Sequence, residues 1–411
     1  MKLRQIRVDG YKNLIECKVN LGDFNVLVGP NNSGKSNLLE AIQMLWPICF
    51  GDDRLRGAIF EGLTPPPRWS TAECHLLEHK SKPVTIGITL ELGPEPRWVD
   101  YEVKIQWKDS ERQKGGFVSE SLRSKRTSDR GPAKTYLRRE GTSLKVLGKS
   151  HKISMANSSL QAIRSLYPDF ADLPGEIGEF VQAIQATGAT RVFALSPKSL
   201  RADIDKENEI GPITVSSFDV LVAVDKIKEE GKHYDLFAEI VCDILDLEAV
   251  EFVAKDIQAP SQKGEATDTS KRARYLFITR PGDEPAFIEE YSDGTLLTAA
   301  ILSGLFSTDV RSPILCLEEL ENCLHPAALK RLLRFLQENA ERWPVLITTH
   351  SPYVLNGVNP EDVNVAVIDE TGASHFEKIR NRKQLRDYLK TGLMSFGDLL
   401  ISNFEEVLER E

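Results

Sequence analysis

Gly29-Pro30-Asn31-Asn32-Ser33-Gly34-Lys35-Ser36 is the stretch of this sequence that decides the fold. It lies between a short apolar run, Phe24–Val28, and a segment with apolar residues at helical spacing. In such a loop, successive backbone N–H groups and those at the start of the next helix surround an anion, and glycine permits close approach. A GxxxxGKS spacing between a strand and a helix is typical of the loop that holds the phosphates of a nucleotide.

The residue types in this loop predict separate roles. Lys35 would reach the β- and γ-phosphates, and the Ser36 hydroxyl would take a position on Mg²⁺. The following helix is predicted from the spacing of its apolar residues, and it should end at Pro47 because proline lacks a backbone N–H. The residues predicted to contact the nucleotide here are Gly29, Asn31, Asn32, Ser33, Gly34, Lys35, Ser36 and Asn37.

The composition is that of an ordinary globular protein. The chain has 411 residues, of which 41% are hydrophobic and 27% charged, enough for one large domain with an insertion or for two domains. No long uncharged apolar run occurs, and the charged residues 1–8 do not form a signal core, so we expect a cytoplasmic protein without a membrane partner. Six cysteines without a CxxC pair predict neither a zinc site nor a disulfide framework.

The net charge of -9 hides a local excess of positive charge. Residues 104–152 contain 14 Lys and Arg against 5 Asp and Glu. Two interpretations stay open for this segment. It is either a solvated hairpin region that needs no partner, or a surface that contacts the phosphates of DNA.

The periodicity of the remaining sequence divides it into three segments. Residues 1–154 alternate in the manner of strands, first in a hairpin before the loop and then in an antiparallel sheet. Residues 155–270 are mainly helical, and the composition from Gln258 to Arg272 is typical of a disordered loop. Residues 271–411 return to the alternation of strand and helix expected of a parallel sheet. We therefore predict an α/β head formed by the first and third segments, with a helical insertion between them.

Charged side chains follow two apolar strands of the third segment. Glu318 and Glu319 end the first strand, where Glu318 would hold Mg²⁺ and Glu319 would act as the base that positions water. His350 follows the next strand at once and would project from the same sheet edge toward the γ-phosphate. Alone, strand-end carboxylates are usually just solvated and a single histidine is usually structural. The phosphate loop earlier in the chain favours the functional interpretation.

A second candidate anion site lies at Ser292, Asp293, Gly294 and Thr295, just ahead of another apolar helical run. A single nucleotide can use only one such helix start as its cradle. The economical arrangement is a head-to-tail pair in which residues 292–295 of one subunit cover the nucleotide held by residues 29–36 of the other. This predicts shared ATP sites in a homodimer or a higher homo-oligomer.

These motifs, in this order, resemble the ABC-type ATPase heads of the RecF, SMC and OLD group, and most closely the compact ATPases of bacterial anti-phage systems. The matching segments are the opening strand with Tyr11-Lys12-Asn13-Leu14, the Walker A loop at 29–36, the abbreviated signature at 291–295, the Walker B pair Glu318-Glu319, the D-loop region at 321–326 and the switch histidine His350. The sequence departs from the group at Glu318, where aspartate is usual, and no Q-loop glutamine is assigned.

The resemblance implies an ABC-ATPase head, with a mixed sheet, flanking helices and an antiparallel β subdomain. It implies binding of ATP and Mg²⁺, and ATP hydrolysis by Lys35, Glu319 and His350. Closure of the dimer would act as a switch that controls DNA binding through residues 104–152, or a separately encoded nuclease or toxin in phage defence. The TOPRIM nuclease domain of OLD proteins is not expected between His350 and Glu411.

Two alternatives to this function stay open. One is a DNA repair or recombination ATPase of the RecF type. The other is a scaffold that senses nucleotide with slow turnover and does not bind DNA. A transporter ATPase is disfavoured because the signature is abbreviated and the opening strand resembles the RecF group.

Overall fold

The computed structural model describes residues 1–51, 53–60, 82–93, 97–107, 115–128, 130–166, 175, 178, 192–193, 220–231, 233–258, 270–306, 313–379 and 395–402. The chain forms two compact units. Unit 1 comprises residues 1–192, 310–319 and 336–411, and unit 2 comprises residues 193–309 and 320–335. Within the described ranges, no helix is both long enough and apolar enough to cross a membrane.

The described part of the chain contains both helices and strands. In sequence they are β1 (Lys2–Asp9), β2 (Cys17–Asn20), β3 (Phe24–Val28), α1 (Lys35–Phe50), α2 (Asp53–Phe60), β4 (Val84–Leu92), β5 (Arg97–Gln106), β6 (Gly116–Arg126), β7 (Lys134–Glu140), β8 (Ser143–Val146), β9 (Lys149–Lys152), α3 (Ser159–Leu166), β10 (Val192–Phe193), α4 (Val220–Glu229), α5 (Tyr234–Leu245), β11 (Ala249–Gln258), β12 (Ser270–Thr279), β13 (Ala286–Phe287), α6 (Asp293–Phe306), β14 (Leu315–Glu318), α7 (Pro326–Glu338), β15 (Val345–Thr349), α8 (Pro352–Asn356), β16 (Val363–Ile368), β17 (Ser374–Lys378) and α9 (Phe396–Ser402). Short 3-10 turns lie at Ile288–Glu290, Leu320–Asn322 and Pro360–Asp362.

An antiparallel sheet in unit 1 has the strand order β2-β1-β4-β5-β6-β7-β8-β9. Burial alternates along β5, where Val99, Tyr101, Val103 and Ile105 face the core and the residues between them are half-buried. This face and the apolar side of α1 share one hydrophobic core. The predicted antiparallel sheet is confirmed, and the basic segment forms its last hairpins.

The parallel part of the fold lies in a second sheet with the order β10-β14-β15-β3-β16-β17. In it β14, β15, β3 and β16 pair in parallel, and β17 pairs antiparallel with β16. All five residues of β3 and of β15 are buried, as expected for strands covered on both faces. Burial raises the pKa of the Cys316 thiol on β14 to about 12, so this cysteine behaves as a small apolar residue. The α/β fold class predicted from the sequence is confirmed.

In unit 2, α4 and α5 pack on one face of a three-stranded antiparallel sheet with the order β11-β12-β13. Asp225 on α4 accepts hydrogen bonds of 2.8 Å from Arg272 and 2.8 Å from Arg274 on β12. The loop predicted from Gln258 to Arg272 is therefore wrong at both ends, where Gln258 pairs with Ser270 and Asp256 with Arg272. The polar composition predicted a loop there, but Arg272 and Arg274 pair with Asp225 and are part of a strand. Residues 259–269 lie outside the described residues.

The predicted end of α1 at Pro47 is also wrong, because the helix continues to Phe50. Proline removes one backbone hydrogen bond, but Ile48 and Cys49 beyond it are fully buried in the core. The Gly51 N–H donates to the Pro47 carbonyl at 3.1 Å and closes the last turn. Burial of the last turn outweighs the loss at proline.

A buried polar network joins the antiparallel sheet to the start of α3. The Arg139 guanidinium lies 2.9 Å from the Glu120 carboxylate, and both side chains are 0% exposed. Glu120 also accepts from the Tyr101 hydroxyl at 3.0 Å and from the Ser159 N–H at 3.1 Å. Arg139 donates to the backbone carbonyls of Ser154, Asn157 and Gly141. Two of the charges counted in segment 104–152 are therefore absent from its surface.

Replacing Arg139 by methionine should strongly destabilise unit 1. The change leaves the Glu120 carboxylate buried without its cation, which costs about 3–5 kcal/mol. Arg138→Met is the matched control, because the neighbouring Arg138 forms an exposed pair with Glu140 that contributes at most about 1 kcal/mol. Urea unfolding followed by circular dichroism measures both, and equal losses for the two variants would contradict this account.

Candidate active site

The loop at residues 29–36 joins β3 to α1 and packs against β17 at Ser374. Gly34 has a φ of 88°, and a Cβ atom there would lie 2.6 Å from the Ser374 hydroxyl oxygen. Only glycine fits this conformation and this space. Asn31 and Asn32 are exposed at the loop tip, whereas Ser33 is buried. As the N-cap of α1, Gly34 has no side chain to accept from the first turn, so the helix start is suited to an anion.

Lys35 places its ammonium group on the inner side of this loop. Its Nζ donates to the Gly29 carbonyl at 2.7 Å and to the Pro30 carbonyl at 2.8 Å, and the residue is 6% exposed. A compact cation is thereby held next to the N-terminus of α1. Both features attract negative charge to the same place.

Ser36 and Glu318 meet although 282 positions separate them in sequence. The Ser36 hydroxyl donates to Glu318 Oε1. The contact depends on the strand register, since Glu318 pairs with Thr348 of β15, which in turn pairs with Leu27 of β3. A hydroxyl and a carboxylate are oxygen ligands of the kind that Mg²⁺ prefers, so the pair fits the predicted metal position.

Glu319 and His350 lie beside this pair at the same sheet edge. The Nδ1 atom of His350 is 3.5 Å from Glu319 Oε1, with exposed side-chain fractions of 48% and 34%. Glu319 has a left-handed φ of 49°, and its N–H donates to the Thr348 carbonyl at 2.9 Å. Both side chains are therefore accessible to water, and the backbone of Glu319 is held by β15.

Asn13 lies at the candidate site, and its position there was not predicted from the sequence. Its Nδ2 donates to the Asn32 carbonyl at 3.1 Å and to the Ser374 hydroxyl at 2.6 Å, and its Oδ1 accepts from Asn37 Nδ2 at 2.6 Å. Asn13 thus ties the phosphate loop, the first turn of α1 and β17 together. The motif at residues 11–14 marks this segment in the sequence, but it does not indicate that Asn13 bonds residues 32, 37 and 374.

The expectation that residues 11–14 belong to the opening strand is wrong. The strand β1 ends at Asp9, and these residues form a turn with an isolated bridge between Tyr11 and Leu14. Lys12, with a φ of 52°, forms a buried ion pair with Glu40 of α1, and the Tyr11 hydroxyl donates to the same carboxylate. These contacts to α1 hold the turn beside the phosphate loop.

The residues predicted to form the signature lie in unit 2, at the start of α6. The Ser292 and Thr295 hydroxyls are 3.0 Å apart, and the Thr295 N–H donates to Ser292 Oγ at 3.3 Å. Ser292 and Asp293 are exposed, whereas the backbone of Gly294 lies against the Cys323 carbonyl. Residues 292–295 thus contact the predicted D-loop region within unit 2, while residues 29–37, Glu318, Glu319 and His350 assemble within unit 1.

A family model described as "AAA domain, putative AbiEii toxin, Type IV TA system" matches residues 24–356, and the chain belongs to this family. No curated protein sequence matches the chain. The structure is similar to an SMC head bound to the C-winged helix domain of ScpA, with 13% identity, a TM-score of 0.51, and coverage of 94% of this chain and 100% of that one.

Two further solved heads are similar at lower TM-scores. One is the SMC head domain from Thermotoga maritima, with 14% identity, a TM-score of 0.43, and coverage of 92% of this chain and 100% of that one. The other is a Pyrococcus furiosus Smc head domain with an extended coiled coil, bound to the C-terminal domain of ScpA, with 12% identity, a TM-score of 0.45, and coverage of 95% and 99%.

The family match and the fold define the chain as an ABC-type ATPase domain of the RecF and SMC group. Nucleotide binding follows from membership of this class. The resemblance drawn from the sequence motifs is thereby confirmed at the level of the class.

Replacing Asn13 by alanine should lower nucleotide affinity by roughly tenfold, since the loop and α1 lose their shared hydrogen-bonding partner at about 1 kcal/mol or more. Fluorescence titration with a labelled ATP analogue measures the change. Asn20→Ala is the matched control, because the exposed Asn20 accepts a hydrogen bond from the Gln5 side chain and is not part of the phosphate loop. Equal affinities for the two variants would show that Asn13 does not position the loop.

Proposed function

We propose that this chain binds ATP with Mg²⁺ and hydrolyses it to ADP and phosphate. The observation that supports this most is the convergence of Ser36, Glu318, Glu319 and His350 at one edge of the parallel sheet, next to the start of α1. A phosphate loop alone only binds. A carboxylate pair and an imidazole beside it supply groups for reaction with water.

The chain's own residues account for binding and orientation. The backbone N–H groups at the start of α1 and the Lys35 ammonium would hold the β- and γ-phosphate oxygens. Ser36 and Glu318 would hold Mg²⁺, which supplies positive charge against the phosphate oxygens. Within the described residues no cluster of three His, Cys, Asp or Glu side chains forms, so water and phosphate would complete the ligand set.

Glu319 and His350 would act on the reacting groups. The Glu319 carboxylate orients a water molecule and accepts its proton as the water oxygen attacks the γ-phosphorus and the bond to the β–γ bridging oxygen breaks. His350 lies across from this carboxylate at 3.5 Å, where it can hold Glu319 in position and contact the γ-phosphate. Partial exposure of both side chains leaves room for the attacking water.

The proposal extends to a head-to-tail dimer. Ser292 and Asp293 are exposed at the start of α6, and this helix start lies in a different unit from the phosphate loop. An exposed hydroxyl at a helix N-terminus is suited to the phosphate of a nucleotide held by a second copy. ATP would join the two copies, and hydrolysis would release them.

The Glu319→Gln variant should form a larger species with ATP in gel filtration, because it binds ATP but cannot complete hydrolysis. Lys35→Ala should stay at the smaller size, since it loses the cation that holds the phosphates. Adding Ser292→Arg to Glu319→Gln should remove the larger species while ATP still binds. Identical elution of Glu319→Gln and Lys35→Ala with ATP would refute the shared sites.

We further propose that the dimer acts as a switch for a separately encoded nuclease or toxin in phage defence. The support is the description of the family, which names a toxin system, and the similar SMC head that was solved bound to the C-winged helix domain of ScpA. Phosphate release with and without DNA separates this function from its alternatives. Stimulation by DNA would favour a repair ATPase of the RecF type, and near-zero turnover would favour a sensing scaffold.

DNA contact is proposed for the last hairpins of the antiparallel sheet. Exposed side chains there include Lys134, Lys145 and Lys149. Arg123 is less suited because it lies 3.0 Å from Asp100. Phosphate contacts by lysine release counterions, so binding through this surface would weaken with salt.

Replacing Lys134, Lys145 and Lys149 together by alanine should reduce DNA affinity. It should also make the negative slope of log K against log salt shallower by about 2–3. The control replaces three exposed lysines elsewhere, Lys18, Lys226 and Lys330. Fluorescence anisotropy at several salt concentrations measures both. An unchanged slope in the first variant would return the segment to a solvated surface without a partner.

A further inference from the structure

The segment after His350 packs against a part of the chain that the hydrolysis site does not include. The helix α8 (Pro352–Asn356) begins two positions after His350, and α9 (Phe396–Ser402) contacts it. The Gly397 N–H donates to Asn356 Oδ1 at 2.7 Å. Phe396, Leu399 and Leu400 bury the apolar side of α9, so this helix is docked and not merely adjacent.

At the contact, the backbone of Gly397 lies directly on Pro352. A Cβ atom at position 397 would lie 2.5 Å from the Pro352 carbonyl oxygen and 2.6 Å from its Cα. Real side chains do not occupy such distances, and the atoms in the way are backbone atoms that cannot turn aside. Any residue other than glycine must therefore move α8 or α9.

The link from Pro352 back to His350 is short and hydrogen-bonded. The Ser351 N–H donates to Thr349 Oγ1 at 2.9 Å, and Ser351 Oγ accepts from the Tyr353 N–H at 3.2 Å. His350 lies between the end of β15 and this capped turn. A shift of α8 is therefore passed to the residue whose Nδ1 lies 3.5 Å from Glu319 Oε1.

We propose that α9 positions His350 for hydrolysis, with Gly397 and Asn356 as the positioning residues. The docked helix fixes α8, α8 fixes the turn, and the turn sets the distance between His350 and Glu319. This inference rests on the proposed function, because it takes His350 to act in ATP hydrolysis. It adds a second part of unit 1, remote in sequence from every motif, on which the rate depends.

The first test is Gly397→Ala, which should lower kcat by roughly 10- to 100-fold, the range expected for a displacement near 1 Å at a reacting centre. Affinity for a non-hydrolysable ATP analogue should stay at the wild-type value, since the phosphate loop is not touched. The second test uses two variants of Asn356 and leaves the crowded Gly397 unchanged. Asn356→Leu removes the acceptor for the Gly397 N–H and should lower kcat, whereas Asn356→Asp keeps an oxygen acceptor and should keep the rate.

A double-mutant comparison separates positioning from general destabilisation. In a His350→Ala background, Gly397→Ala should cause no further loss of kcat, because the group that it displaces is already gone. Hydrogen exchange of residues 350–356 should rise in Gly397→Ala and stay unchanged in Asn356→Asp. The exchange measurement needs no turnover.

Several outcomes would overturn the proposal. These are wild-type kcat in both Gly397→Ala and Asn356→Leu, an equal further loss in the His350→Ala background, or unchanged exchange at residues 350–356. Should Gly397→Ala fail to fold, the two Asn356 variants decide. A wild-type protein without ATP hydrolysis would refute the proposed function itself, and the exchange data would still show whether α9 holds the segment after His350.

Discussion

The parallel pairing of β3 with its two neighbours is the constraint on which the structure depends. Phe24 pairs with Val345 and Val28 with Thr349, while Val365 of β16 pairs with Val28 from the other side. Because parallel strands present their carboxyl ends at one edge, this register places the phosphate loop beside His350, and the pairing of β14 with β15 adds Glu318. A slip of one residue would send these side chains to opposite faces of the sheet. Burial of β3 and β15 on both faces resists such a slip.

Much of this arrangement could be predicted from sequence because it is written in local patterns. The strands of the parallel sheet are short apolar runs, and three residues of the candidate site, Glu318, Glu319 and His350, stand at the ends of two of them. Local patterns failed where distant contacts decide. The continuation of α1 past Pro47 depends on the burial of Ile48 and Cys49. The bond from Asn13 to Ser374 spans 361 positions, so no spacing within the sequence could indicate it.

Charge was the other property that the sequence described incompletely. Counting treats every ionised side chain as if it were at the surface, but Arg139 and Glu120 are enclosed, and Arg123 lies against Asp100. The same holds for Lys12, whose partner Glu40 lies on α1. Pairing of this kind is fixed by the tertiary structure. Because of this pairing, the hairpins expose fewer free charges than the composition suggests. The paired charges instead hold parts of the tertiary structure together.

Glu319 combines a left-handed backbone with the carboxylate to which we assign proton transfer. Holding a residue with a Cβ atom in that conformation costs about 1–2 kcal/mol, which glycine would not incur and asparagine would incur less. At this one position, folding and chemistry thus favour different amino acids. A laboratory selection for heat resistance alone would favour replacement of Glu319. Under the proposed function, the more stable proteins recovered would bind ATP without hydrolysing it.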